Sequence, residues 1–231
     1  MRTIVYIVIH SKEEKGQKMI TYREMTEADK PLLADMIWKM WAGDDIKAKP
    51  EVAIHYGYMV LYYELVHSSK AFVADDNGKA VGLLILDIKD GHPIHGDYLM
   101  KMLEHTIELC KDPDGNKNQK DWNDLEKEYK GAEHLLEGQE LGAEVALFIN
   151  DADHRRKGVG SGMFKYMSTY LHEQGVKRFY LHTDQCSKHE FYTEKRGMIE
   201  FNKRKSAVDI GDVHNAELFI MVDDVVNQMH D

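Results

Sequence analysis

Ten residues dense in glycine and positive charge, Asp153-His154-Arg155-Arg156-Lys157-Gly158-Val159-Gly160-Ser161-Gly162, join an apolar strand pattern to an amphipathic helix pattern. Upstream, Ala143 to Ile149 reads as a strand. Downstream, Met163, Tyr166, Met167 and Tyr170 recur at helical spacing until Gly175. A helix start presents unpaired N–H groups and the positive end of the helix dipole, and glycines let a phosphate approach the backbone closely. The junction therefore predicts a strand, an anion-accepting turn and a helix. The plainer alternative is a glycine-rich turn that binds nothing.

Several phosphate and nucleophile motifs are excluded by single residues. Met163 stands where a dinucleotide fingerprint needs its third glycine. The same residue follows Gly162 where a P-loop needs Lys-Ser/Thr. Ser161 lies between Gly160 and Gly162 and is not the centre of a Gly-x-Ser-x-Gly elbow.

What remains, Arg155-x-x-Gly158-x-Gly160, resembles the acetyl-CoA signature of the GCN5-related N-acetyltransferase (GNAT) family. A second strand pattern, Arg178 to Thr183, is followed by Phe191-Tyr192-Thr193-Glu194-Lys195-Arg196-Gly197-Met198, which is similar to the family's Phe-Tyr-x-x-x-Gly-Phe segment. The resemblance covers roughly Met19 to Asp224, interrupted between about Gly91 and Gly142. Ala152 replaces a frequent proline, Asn150 a usual valine, and Gln185 a frequent asparagine. The resemblance implies an α/β (mixed α+β) acyl-CoA N-acyltransferase fold: a mixed central sheet flanked by helices and splayed between its two central parallel strands.

Length and charge set the broader frame. A chain of 231 residues without a Pro/Gly/Ser-rich linker predicts one domain over 19–231. A net charge of −10 argues against a nucleic-acid partner and favours cationic ones. Two cysteines, Cys110 and Cys186, give no disulfide framework and point to a reducing cytoplasm. The apolar run Thr3 to Ile9 is too short to span a membrane, so no membrane association is expected. Residues 1–18 are either an extra strand or an upstream extension, with natural translation starting at Met19. Among the family's assemblies, a homodimer is open to this chain.

The elements read in the order β-α-α-β-β, insertion, β-α-β-α-β-β. Met19 to Arg23 alternates as a strand, and Thr26-Glu27-Ala28-Asp29 resembles a capping box. Leu33, Met36, Ile37, Met40 and Trp41 form a helical stripe ended by Gly43. Pro50 opens a second helix with Val52, Tyr56, Met59, Tyr63 and Val66 on one face. Asn77-Gly78 predicts a hairpin between Ala71–Ala74 and Ala80–Ile88. A short helix at Phe191 and strands at Glu200 to Lys205 and Glu217 to Val222 complete the chain. The insertion, about 91–142, predicts a helical hairpin packed against the sheet. One stripe is Leu99, Met102, Leu103, Ile107 and Cys110; the other is Trp122, Leu125, Tyr129, Ala132 and Leu136. With twelve acidic and six basic residues it reads first as a solvated outer face, and second as an acidic lid over the acceptor.

On the family resemblance, the expected activity is transfer of an acetyl group from acetyl-CoA to a primary amine by direct attack, with no metal. The backbone of Arg156, Lys157, Gly158, Val159, Gly160 and Ser161 would hold the pyrophosphate, aided by the charges of Arg155, Arg156 and Lys157. Phe148, Ile149 and Asn150 would line the pantetheine arm and offer an N–H to the oxyanion. Tyr192 is the expected general acid, since a phenol near ~10 can protonate a thiolate whose thiol lies near ~8.5. Glu144 is the expected general base, with a surface glutamate as the alternative. Trp38, Trp41, Asp44, Asp45, Tyr56 and Tyr58 fall where an acceptor wall is expected, and core packing is the first expectation for Trp41 and Tyr56. His92-Pro93-Ile94-His95 lacks a third ligand and reads as an ordinary loop. Cys186 is the one thiol near the site and has no evident histidine partner. The acceptor's identity stays open among small amines, polyamines and protein amines. The alternative activity is a non-catalytic acyl-CoA sensor or regulatory module.

Overall fold

The computed structural model describes residues 20–89 and 94–230. The expectations for 1–18, and for Met19, His92 and Pro93, lie outside the described residues. Among the described residues seven strands form one mixed sheet: β1 (Thr21–Glu24), β2 (Lys70–Asp76), β3 (Lys79–Ile88), β4 (Ala143–Asn150), β5 (Arg178–Asp184), β6 (Ile199–Lys205) and β7 (Glu217–Asp224). Their spatial order is β1-β2-β3-β4-β5-β7-β6, and only β4 and β5 run parallel. Asn77 and Gly78, both at positive φ, make the β2–β3 turn that the Asn-Gly pair requires.

Helices cover both faces. α1 (Lys30–Trp41) and α3 (Pro50–Val66), linked by the short α2 (Asp44–Lys47), bury Leu33, Ile37, Met59 and Leu61 against Val73, Leu83 and Ile85. On the other face α6 (Val159–Glu173) buries Met163, Phe164, Met167 and Leu171 against Phe72, Leu84, Val145 and Phe179. α3 is apolar almost all round, as befits a helix covered on both sides.

The insertion forms the expected helical pair, α4 (Gly96–Leu109) and α5 (Pro113–Gly131), but its packing corrects the expectation. α4 lies along α3, not on the sheet, and seats Tyr98, Met102 and Leu109 in the α1–α3 core. The predicted stripe residues Leu99, Leu103 and Ile107 are exposed. α5 begins with a capped turn in which Asp112 accepts from Asp114 N–H and Gly115 N–H, and Lys49 ties Asp112 and Asp114 back to α3 at 2.9 and 2.7 Å. Beyond α5, Ala132 and Leu136 do reach the sheet, at Tyr180, Ile220 and Val222.

The edge strand β1 is fastened by charge. Arg23 bridges Asp29 and Asp75, both buried, at 2.8 Å each, while the Asp29 carboxylate accepts the Thr26 N–H at 2.7 Å. Arg23 holds the Asp29 carboxyl down at about 2, against a usual 3.8. Replacing Arg23 by Met leaves two buried carboxylates unpaired. Allowing for the exposed part of the guanidinium, the expected loss is about 2 kcal/mol, read by chemical denaturation. Because the folded-state pKa is depressed, this contribution is full above about pH 4 and fades as pH falls toward about 2.

Candidate functional site

The site begins with one extra residue. Along the β3–β4 ladder Leu86 faces Val145 and Ile85 faces Leu147, so Ala146 is a bulge in β4. A bulge bends its strand and sharpens the local twist. On its other side β4 pairs with β5 only at Ala143–Phe179 and Glu144–Tyr180. From Val145 onward the two parallel strands part and expose an unpaired edge of β4. A cleft of about 1870 Å³ occupies the opening.

One end of the cleft is the glycine junction. Gly158 sits at φ +78°, where a Cβ is strained, and the Gly162 N–H makes the first capping bond of α6, to the Gly158 carbonyl at 2.9 Å. Arg156 is also left-handed, a pattern that gathers N–H groups into an anion-binding concavity. A Cβ on Gly160 would meet Asn150, Phe148 and Phe191, each at 3.2 Å, so the helix start lies against the tip of β4 because glycine is there. His154, between Asp151 at 3.0 Å and Asp76 at 3.3 Å, pins the loop to the β2–β3 hairpin.

Phe148, Ile149, Asn150, Arg155, Arg156, Gly158, Val159, Gly160 and Ser161 line this end; Lys157 is exposed and outside the lining. The Asn150 amide oxygen is buried and has no hydrogen-bond partner among the described residues. Gln185 faces away from the cleft and exchanges hydrogen bonds with Glu217 on β7.

Tyr192 stands on a wide single turn, Phe191–Lys195, and packs edge-on or tilted in an aromatic cluster with Phe148, Phe164 and Phe191. Arg196 and Gln228 lock the turn, at 2.7 Å from Arg196 Nε to Gln228 Oε1 and 2.7 Å from Gln228 Nε2 to the Arg196 carbonyl. Tyr192 is enclosed by protein except toward the cleft. That burial, and the charge of Asp184, push its phenol above the usual value, so it stays protonated at neutral pH. The Cys186 thiol is likewise pushed up by burial and Asp184, which disfavours a thiolate nucleophile.

Glu144 lies at the vertex of the opening. The Tyr180 hydroxyl donates to its Oε2 at 2.9 Å. Burial raises the Glu144 carboxyl to about 7; the Tyr180 hydrogen bond opposes this, while Glu133, Asp87 and Glu126 add to it. Although surrounded by protein, its side chain keeps one open face on the cleft. It is thus a largely buried carboxyl of raised pKa and not a surface glutamate.

The opposite wall is built by α3 and α5. Trp41, Asp44, Asp45 and Tyr56 line it, whereas Trp38 packs in the α1–α3 core and Tyr58 stacks on His105 of α4. Tyr56 is buried as expected, but Trp41 is 38 % exposed at the end of α1 and is not core. α5 contributes Asp121, Trp122, Glu126, Tyr129 and Lys130, so the insertion is a wall of the cleft and not merely a solvated face. Sequence reading missed Glu64, Glu126 and the Ala146 bulge. Glu64 carried a signal: it is the lone charge in the run Met59 to Val66. Among the described residues no group of three or more His, Cys, Asp or Glu side chains is placed to hold a metal ion, and no helix is long and apolar enough to cross a membrane.

Residues 33–198 match the family model described as acetyltransferase (GNAT) family. No curated protein matches the chain. Among solved structures, an agmatine N-acetyltransferase in its apo form shares 15% identity over 89% of this chain and 100% of its own, with a TM-score of 0.54. The ribosomal-protein-S18-alanine N-acetyltransferase from Escherichia coli shares 13% over 90% and 94%, with a TM-score of 0.51. A GNAT family acetyltransferase from Elizabethkingia anophelis, solved with acetyl-CoA bound, shares 11% over 89% and 97%, with a TM-score of 0.50. At these identities the structural likeness is one of fold.

The Tyr180–Glu144 contact is testable directly. Tyr180→Phe removes the hydrogen bond that favours the ionised carboxyl, so the Glu144 pKa, followed by carbon-detected NMR titration, moves upward from about 7.

Proposed function

Because this chain belongs to the acetyltransferase (GNAT) family, we propose that it moves the acetyl group of acetyl-CoA to a primary amine by direct attack. The observation that carries this reading is the single cleft in which an anion-accepting helix start, an unpaired strand edge and a proton-exchanging glutamate lie in sequence. Acetyl-CoA supplies the activated thioester. The chain's own residues fit it: the open N–H groups from Arg156 to Ser161 suit a pyrophosphate, glycine at 160 lets that helix start close against the tip of β4, and the free edge of β4 suits an extended amide-bearing arm.

Each remaining need has a residue. An aliphatic amine, with a pKa near ~10, arrives as an ammonium and must lose a proton before it can attack. Glu144, poised at about 7, takes that proton directly or through one water. A backbone N–H on the parted edge of β4 stabilises negative charge developing on the carbonyl oxygen. Tyr192, kept protonated by its burial, delivers a proton to the departing sulfur.

Calorimetric titration with acetyl-CoA, followed by thiol-release assays over an amine panel, tests the reading. Saturable binding with amine-dependent release is expected; binding without release to any amine indicates the sensor alternative, and no binding by folded protein overturns both. Tyr192→Phe lowers kcat by about a hundredfold while leaving acetyl-CoA affinity nearly intact. In the unmodified enzyme kcat/KM rises with pH through about 7 as Glu144 deprotonates, and Glu144→Gln removes that limb.

A further inference from the structure

Three carboxylates face the acceptor end of the cleft from three different elements: Glu64 from α3, Glu126 from α5 and Glu144 from β4. Two of them have partners. Tyr180 donates to Glu144 at 2.9 Å, and Tyr63 is hydrogen-bonded to Glu126. Glu64 is enclosed by protein on every side but the cleft, and among the described residues no hydrogen bond or ion pair reaches its carboxylate. The cation whose charge reaches both Glu64 and Glu126 is Lys130, whose ammonium lies 4.7 Å from the centre of the Tyr63 ring. That ammonium, held over an aromatic face beside carboxylates, is a stand-in for what a ligand's own ammonium would meet there. Among the described residues Lys130 is the one cation acting on Glu64 and Glu126, and none acts on Glu144, so this group of carboxylates is short of positive charge. Burial, and the mutual repulsion of Glu64 with Glu126 and Glu144, push the Glu64 carboxyl well above its usual value, and Lys130 only partly offsets this. Burial raises Glu126 as well.

We propose that Glu64 and Glu126 hold a second ammonium group of the acceptor, so that the substrate is a diamine or polyamine with one amine presented at Glu144 and another bound between α3 and α5. This rests on the amine-acetylating reading above and names the substrate class of the same site. Atoms and charge balance: the reacting ammonium gives one proton to Glu144 and on to solvent, its nitrogen forms the C–N bond as the thioester C–S bond breaks, the second proton lost from that nitrogen matches the one gained by the departing sulfur, and the distal ammonium is unchanged.

The test compares putrescine with butylamine, which differ by one terminal amine. Putrescine is expected to exceed butylamine in kcat/KM by about tenfold to a hundredfold, the range of a hydrogen-bonded charge contact. In Glu64→Gln and, separately, Glu126→Gln the putrescine-to-butylamine ratio falls toward one. Calorimetry of putrescine binding to the CoA-loaded protein in buffers of differing ionisation heat gives a readout without turnover. A cation entering beside carboxyls of raised pKa releases protons, and that release shrinks in Glu64→Gln. Equal kcat/KM for the two amines, with ratios unmoved by both variants, overturns this inference and leaves amine acetylation standing. Acetyl-CoA binding without acetylation of any amine overturns both.

Discussion

Beyond Glu144 and Tyr180 the two central parallel strands no longer satisfy each other's backbone groups, and the rest of the molecule is arranged around that interruption. A buried sheet normally pairs nearly every N–H and C=O. Here the extra residue at Ala146 twists β4 away from β5 while β3 continues to pair on the other side, so the unpaired edge is held rigid by a neighbour that does not yield. The same bulge reverses which face each later residue of β4 presents. Val145 joins the α6 core, whereas Leu147 and Ile149 join the α1–α3 core.

Electrostatics divide the cleft into two regions. The junction end offers backbone N–H groups, the positive end of the α6 dipole and two exposed arginines, Arg155 and Arg156. The far end offers Glu64, Glu126 and Glu144 at a depth where charge is poorly hydrated. A ligand that is negative at one end is drawn to the first region, and a cationic ligand to the second. The two regions meet where β4 and β5 separate, which is where Glu144 and the aromatic cluster around Tyr192 approach the same space.

Local signals made the donor half legible in sequence. Gly158 and Gly160 announce a turn that only glycine fits, Asn77-Gly78 announces its hairpin, and the alternation in β4 and the stripe of α6 have clear periods. The far half of the cleft depends on tertiary packing, which a single sequence does not display. α4 carries Leu99, Leu103 and Ile107 at helical spacing, yet its buried face is set by Tyr98, Met102 and Leu109 against α3. Trp41 belongs to an apolar stripe by spacing, but α1 ends there, so its ring enters the cleft. The Ala146 bulge leaves no mark in composition, because an extra residue is defined only against the partner strand. Glu64 and Glu126 lie more than sixty positions apart and are brought together only by the packing of α5 across α3.

The attachment of the insertion has a consequence for how such a molecule changes over generations. α4 and α5 leave the sheet after β3 and return at β4; they are clipped to α3 by Lys49, to Gly43 by Asn118, to β5 by Tyr129, which donates to Asp184 at 2.8 Å, and to β6 by Arg204, which pairs with Glu128, and none of these anchors belongs to the glycine turn. The exposed positions of the wall that they form can therefore be recharged while the anchors, and with them the strands and the helix start, keep their register. Changes in the charge of that wall and changes in the glycine turn fall in separate stretches of the gene, and one need not await compensation in the other.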